Sequence, residues 1–352
     1  MRIGQDGWPG TRPGTRAMNI ILAHSHLDTF GGGERSVLEL AQRLGTNNAV
    51  EIWTGNYQAD QTFAEFAHMP LRTVSARDWL TKTPDADVIV AHSFGAYLLA
   101  LRHPRTVCYI HTLRSAYLQP SVRPAILARR YLDSMALRRA ARVVTNSTFA
   151  AQQIHARYDR DALSVPPGVR DSLFSSPPTA GTYALYLGRL APEKGIERLL
   201  RWHAQVDLDL HVVGTGPASY VMELRRHATP NVHFMGAMQN NALDNELASC
   251  RFLAFLPERE EFGLAALEAM AAAKPVIALQ SGALPELIKH GESGYLVSDA
   301  ESYAKAATKL IESDDLCLRM GQRDREFARG YSWQRYADAI EAICEEVCSA
   351  RR

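Results

Sequence analysis

The stretch PEREEFGLAALEAMAAAKPVIA, Pro257 to Ala278, concentrates carboxylates: Glu258, Glu260 and Glu261 fall within four residues, and Glu268 follows on a segment of helical character. A pair of carboxylates can hydrolyse a glycoside when they stand about 5–9.5 Å apart. Were Glu260 and Glu268 on one helix, eight residues would separate them by about 12 Å, at 1.5 Å per residue. A hydrolytic dyad is therefore disfavoured. The spacing suits one carboxylate ending a loop and another two turns into a helix, each accepting hydrogen bonds from hydroxyls on a different part of one elongated ligand. Between them Phe262, Gly263 and Leu264 would open the helix, where unpaired amides can take a phosphate.

Cations and glycines accompany these carboxylates. In YLGRLAPEKGIERLL, Gly188 and Arg189 follow an apolar run and Lys194 precedes Gly195 at a helix start. A guanidinium and a compact ammonium there suit a diphosphate, with a solvated charged loop as the other reading. Gly31, Gly32 and Gly33 open a helix at Glu34. They either let amides approach a ligand or form a flexible turn, and they do not match the G-x-G-x-x-G dinucleotide fingerprint. Gly214 and Gly216 in VVGTGPASY match a nucleotide turn only in part, because Ser219 takes the third glycine position. Asp207 and Asp209 have the D-x-D form of a metal-nucleotide site but precede a strand, where a polar turn is the plainer account. His111 ends the run TVCYIHT, and His24, His26 and His92 also follow apolar runs, without the spacing of a metal set. No metal site is expected.

The elements that must hold these residues are legible as alternation. NIILAHS, VEIWTG, DVIVAHS, TVCYIHT and ARVVTNS read as buried strands, and ERSVLELAQRL as an amphipathic helix among them. Continuous apolar strands separated by helices imply a parallel sheet covered on both faces. Pro166, Pro167, Pro177 and Pro178 interrupt the pattern as a linker, after which YALYLGRL, LHVVGTG, VHFMGAM, RFLAFLP and KPVIALQ restart it. The class is α/β, with two Rossmann-like domains. The expected limits are 1–17 as a disordered extension, 18–168, 169–330, and 331–352 as a helix crossing back to the first domain. In doubly wound sheets ligands sit outside the carboxyl ends of the strands, where most of these candidates fall.

At 352 residues the chain exceeds one usual core. A net charge of +1 argues against a dedicated nucleic-acid binder. Five scattered cysteines suggest neither a disulfide framework nor zinc, and no apolar run marks a span or signal peptide, so a cytoplasmic location is expected. The segment Arg114–Arg142 carries seven arginines against one acid, Asp133. It reads either as a solvated helix face or as a peripheral contact with the inner face of an anionic membrane.

Taken in order, GGGER, GRLAPEKG, GTGP and EREEFGLAALEAMAAAKPVIA, with VPPGV at the linker and GALPELIKHGESGYLV near the end, resemble the retaining nucleotide-sugar glycosyltransferases of family 4, of GT-B fold. The resemblance runs from Met18 to the C-terminus. It implies two domains facing across a cleft, with the donor on the C-terminal one. Arg189 and Lys194 match the pair on the donor diphosphate. Glu260 and Glu268 match the family's E-x7-E element, the first on the donor sugar and the second on the ribose, with Phe262, Gly263 and Leu264 as the amide-bearing loop. Glu261 stands where the family often has Gly. His111 resembles the histidine near the donor sugar, and Gly32 and Gly33 the loop facing donor phosphate and acceptor; Gly188 and Gly214 join the donor set. The catalytic group so implied is His111, Arg189, Lys194 and Glu260.

The resemblance further implies a nucleotide-sugar co-substrate, no cofactor and no metal. GGGER and EFGLAALEAM look like mannosyltransferases of lipid-linked oligosaccharide assembly, which leans toward GDP-mannose, with a UDP-sugar next. The acceptor would be a glycan, lipid-linked or small-molecule hydroxyl, with His24, His26, Asp28 and Arg114 as acceptor-side candidates from their strand-end positions. Retention would follow front-face attack, because no Ser, Cys or Asp reads as an anomeric nucleophile, and domain closure would exclude water. A non-catalytic sugar-nucleotide sensor and a GT-B epimerase are the alternatives; the epimerase needs N-domain carboxylates that the sequence does not display. A phosphorylase would need a pyridoxal lysine and a longer chain, and a nicotinamide dehydrogenase the missing glycine fingerprint.

Overall fold

A computed structural model describes residues 17–113, 124–238 and 240–350. Two compact units divide it: residues 1–168 with 333–352, and residues 169–332.

In the first unit, strands β1 (Asn19–His24), β2 (Ala49–Thr54), β3 (Leu71–Thr73), β4 (Val88–Ala91), β5 (Thr106–Ile110), β6 (Arg142–Thr145) and β7 (Leu163–Ser164) form a parallel sheet in the order β3-β2-β1-β4-β5-β6-β7. Successive side chains alternate across a strand, so each apolar run feeds two cores. Ile20, Leu22, Val88, Val90, Val107 and Tyr109 pack on one face with helix α1 (Gly32–Leu44). Ile21, Ala23, Ile89, Ala91, Cys108 and Ile110 pack on the other with α2 (Pro124–Arg139) and α3 (Thr148–Tyr158). Burying each large aliphatic contributes roughly 1.5–3 kcal/mol, which explains why both faces of these runs are apolar. Helix α1 starts at Gly32, two residues before the expected Glu34.

The second unit repeats the plan with β8 (Ala184–Leu187), β9 (Leu210–Val213), β10 (Val232–Gly236), β11 (Phe252–Phe255), β12 (Val276–Leu279) and β13 (Gly294–Val297), in the order β10-β9-β8-β11-β12-β13. Helices α4 (Ile196–His203) and α8 (Ala300–Glu312) share one core, and α7 (Leu264–Ala271) lies in the other; α5 (Ala218–His227), α6 (Asn240–Ser249) and α9 (Asp314–Ala328) complete the unit. Counted within its own unit, each sheet begins 3-2-1-4-5-6, the doubly wound order. The order reverses between β1 and β4, and between β8 and β11. Residues leaving the carboxyl ends of those strands are therefore the ones a ligand would meet first.

The last helix, α10 (Trp333–Ser349), follows the second unit in the chain but belongs by its packing to the first. Trp333, Tyr336, Ile340, Ile343, Cys344 and Val347 recur at three- and four-residue intervals and enter the core that contains Leu22 and Val90. Asn48 Nδ2 donates to Glu341 Oε1 at 2.7 Å. Within the second unit Val169 N donates to Tyr331 O at 3.0 Å, and Val169 and Ser332 form a β-bridge, so the unit's two ends meet. Among the described residues no helix is long and apolar enough to cross a membrane.

The strand ends of the first unit bury imidazoles. His24 and His92 are almost wholly buried and His111 is half-buried. Burial pushes the His24 ring down to about 4, against an opposing pull from Glu34, and the His111 ring down to about 3; His92 lies well below the ordinary value for the same cause. All three stay neutral in the fold, whereas the unfolded chain takes up their protons near pH 6.5. The unfolded state thus binds more protons below that value. Stability is full above pH 6.5 and is lost as pH falls toward the folded values, by about 1.4 kcal/mol per pH unit for each histidine titrating only in the unfolded chain. Urea unfolding followed from pH 7 to pH 5 should show this loss, and His92→Phe should flatten it; parallel curves for the two proteins would refute the assignment.

Candidate functional site

At the carboxyl ends of β8 and β11 a backbone constraint builds the site. Gly195 has φ 72°, and a Cβ there would lie 2.0 Å from Leu256 O, so the turn presses against the chain leaving β11. That approach carries Lys194, the last residue of the short 3-10 turn Pro192–Lys194, to the Glu260 loop. Lys194 Nζ donates to Glu260 Oε2 at 2.8 Å, with both side chains largely buried. The Glu260 main chain is held from a second side. Gly282, at φ 62°, would place a Cβ 2.3 Å from Glu260 O; Ala283 N donates to that oxygen at 2.8 Å, and Arg259 N donates to Ser281 Oγ at 3.1 Å. The sequence GALPEL therefore clamps the first glutamate.

The remaining carboxylates of the opening stretch go elsewhere. Glu258 pairs with Arg198 of α4, whose Nη1 also donates to Leu256 O at 3.1 Å. Glu268 lies in the second turn of α7, nearer its start than expected, and its Oε1 is 3.6 Å from Arg170 Nε. Gly263, at φ 100°, precedes α7, and Phe262 is buried beside Tyr331, so Leu264 opens the helix with the terminal amides turned to the Glu260 loop's end of the element. Arg189 follows β8 with its guanidinium exposed: it pairs with Glu193 at 3.4 Å, while its carbonyl accepts from Tyr186 Oη at 2.8 Å. An exposed i,i+4 pair of this kind contributes little to stability. Gly188 and Gly214 leave β8 and β9, where Gly188 N donates to Val213 O. An ammonium, a helix start and two carboxylates thus share one edge of this sheet. They supply donors for an anion and acceptors for hydroxyls.

The carboxyl ends of the first unit's strands carry a polar set. His111 Nε2 and His92 Nδ1 are 3.1 Å apart, one donating to the other, and Asn146 Nδ2 donates to the His111 carbonyl at 2.8 Å. A Cβ on Gly33 would lie 3.5 Å from His24 Nε2 and 3.7 Å from the His111 ring, so both imidazoles line the start of α1; Gly32 is its first residue. His24 Nδ1 and the His26 carbonyl are 2.5 Å apart. Glu34 is buried, accepts from Thr29 Oγ1 at 2.7 Å and lies 3.5 Å from His26 Nε2, bracing the loop that ends at the glycines. Asp28 Oδ2 accepts from Asn56 Nδ2 at 2.5 Å. Arg114 lies outside the described residues, as do residues 1–16 of the expected extension. Among the described residues no three His, Cys, Asp or Glu side chains are placed to hold a metal ion. The sequence reading missed Arg170, Asp244, Asn56, the His92–His111 contact and the clamping role of GALPEL, which entered it only as part of the family resemblance.

Comparison with known proteins agrees with this architecture. Family models described as "Glycosyltransferase Family 4" and "Glycosyl transferases group 1" match residues 30–173 and 173–327. A phosphatidyl-myo-inositol mannosyltransferase of Mycobacterium leprae is 28% identical over 294 residues, 78% of this chain and 77% of its own. An uncharacterized glycosyltransferase of Methanocaldococcus jannaschii is 23% identical over 224 residues, 62% of this chain; the match spans less than two thirds, 63%, of that relative's length. Anabaena HepE, solved with UDP-glucose, superposes with a TM-score of 0.80 at 20% identity, covering 95% of this chain and all of its own. With the two family models meeting at residue 173 and two doubly wound sheets of the same strand order, the chain belongs to glycosyltransferase family 4 and has the GT-B fold.

Proposed function

We propose that the protein is a retaining, metal-independent transferase that moves a hexosyl group from a nucleoside-diphosphate sugar to a hydroxyl of a glycan, glycolipid or small molecule. The Lys194–Glu260 pair beside the start of α7 carries this reading. An ammonium and helix amides stabilise the charge that develops on a departing diphosphate, and the adjoining carboxylate accepts from a sugar hydroxyl. Because Lys194 neutralises Glu260 before ligand arrives, the loop holds its acceptor in place without an unpaired buried charge. Arg189 is exposed on the loop after β8 and adds a second cation. Glu268 is assigned to the ribose.

In this scheme no enzyme nucleophile is used. The acceptor hydroxyl attacks the face the diphosphate leaves, its proton passing to the departing phosphate oxygen. Glu260 and His111 are assigned to the donor sugar, and His24, His26 and Asp28 to the acceptor. GDP-mannose is favoured by the sequence motifs and by the mannosyltransferase name of the Mycobacterium relative; UDP-sugars are favoured by the UDP-glucose bound to HepE.

The segment 114–142 adds a membrane reading. Within α2, Leu127 and Tyr131 are exposed one turn apart, in a stretch rich in arginine. Exposed apolar side chains in an arginine-rich stretch suit an anionic bilayer surface.

Three experiments test these proposals. Thermal shift with UDP, GDP, ADP and dTDP and their sugars should show stabilisation by one nucleotide family. Lys194→Ala should lower kcat about 10²–10³-fold, the effect of losing one preorganised electrostatic group; unchanged kcat, or a product of inverted anomeric configuration by NMR, would overturn the mechanism. In liposome flotation the protein should rise with vesicles containing phosphatidylglycerol and not with phosphatidylcholine alone. Equal behaviour with both would remove the membrane contact.

A further inference from the structure

Glu268 is braced from the side by a residue that neither the motifs nor the family resemblance singled out. Arg170 stands in the turn that follows Val169, and its side chain is 13% exposed. Its Nε lies 3.6 Å from Glu268 Oε1 and its Nη1 2.5 Å from Asp244 Oδ1. Asp244 comes from α6, and its second oxygen accepts from Ser172 Oγ at 2.6 Å. One guanidinium thus joins the start of the second unit's chain, α6 and α7. The rigid planar guanidinium, held by Asp244 through Nη1, sets its Nε edge against Glu268 as a charge contact, and its Nη2 is buried without a hydrogen-bond partner among the described residues; a flexible ammonium would not keep that edge in place.

A carboxylate that recognises hydroxyl groups must present its oxygens at a set angle, and a glutamate side chain loses rotamer entropy when it does so. A guanidinium anchored on a second carboxylate removes that freedom before ligand binds. We infer that Arg170, anchored by Asp244, which Ser172 in turn holds, is a positioning residue that aims Glu268 at the ribose hydroxyls of the nucleotide. The inference rests on the assignment of Glu268 to the ribose. It adds a new element to the specificity of that site: discrimination between ribo- and deoxyribonucleotides depends on a residue that does not itself touch the sugar.

The test uses isothermal titration of the full chain with GDP, UDP and their 2′-deoxy and 3′-deoxy counterparts, with inorganic pyrophosphate as a probe of the anion contacts alone. The wild-type protein should bind the ribonucleotide of its preferred base about 10-fold or more tightly than at least one deoxy form, the size of one lost hydrogen bond. Glu268→Ala should abolish that ratio. Arg170→Ala should reduce it to within about twofold while leaving pyrophosphate affinity unchanged, and Arg170→Lys should restore only part of it, since an ammonium supplies charge without the rigid plane. Asp244→Asn should give an intermediate ratio, and it decides the matter should Arg170→Ala not fold. A full ratio in Arg170→Ala, or in Asp244→Asn where that variant decides, alongside a lost ratio in Glu268→Ala, would overturn the positioning role and leave the ribose assignment standing. A ratio that survives Glu268→Ala, or is absent from the wild-type protein, would overturn the ribose assignment and the positioning role together.

Discussion

The donor-side constellation depends on one close approach of backbones, that of Gly195 to the carbonyl of Leu256. Any side chain at 195 would occupy the space of that carbonyl, and the positive φ would strain it further. With no side chain there, the turn after β8 closes on the strand end of β11, and Lys194 comes within hydrogen-bond reach of Glu260. The order of the second sheet makes this possible, because β8 and β11 are neighbours although far apart in sequence. Gly282 holds the same loop from the side of β12. The glutamate is thus fixed by its main chain, and its carboxylate is fixed by a cation.

Three of the four glutamates in the opening stretch each meet a different cation: Glu258 with Arg198, Glu260 with Lys194 and Glu268 with Arg170. Partly buried carboxylates in a helical, apolar surrounding would be costly alone, and pairing offsets that cost. The pairs differ in surroundings. Glu258 is exposed and its pair contributes little to stability, whereas Glu260 and Glu268 are sheltered and their geometry is held. Shelter therefore separates the carboxylates that can orient a ligand from the one that only decorates the rim of the loop.

Much of the architecture was legible because parallel strands buried on both faces leave continuous apolar runs; NIILAHS, DVIVAHS and LHVVGTG are such runs, and each holds a strand. The edge strands β3 and β7 were not, since three and two residues carry no periodicity and owe their pairing to neighbours. Strand β13 stood inside a motif, GYLV, whose brevity hid it. Among site residues, Lys194 and Glu260 were singled out by type and spacing, and the fold pairs them. Arg170 was not: it lies 98 positions before Glu268 in a proline-rich linker, where an arginine looks like any solvated charge. The His92–His111 contact was hidden for the same reason, two strand ends being joined only by the order of the sheet.

The first unit is completed by the last helix of the chain. Trp333, Tyr336, Ile340 and Ile343 belong to the core that β1 and α1 begin. During synthesis the chain leaves the ribosome N-terminus first, and domains fold as units as they emerge. The second unit is continuous and has all of its strands once residue 332 is out, whereas the first must wait with an open apolar face until the final helix follows. The half of the molecule made first is therefore the half that finishes last, and its unfinished core is the surface that cellular chaperones would meet on the nascent chain.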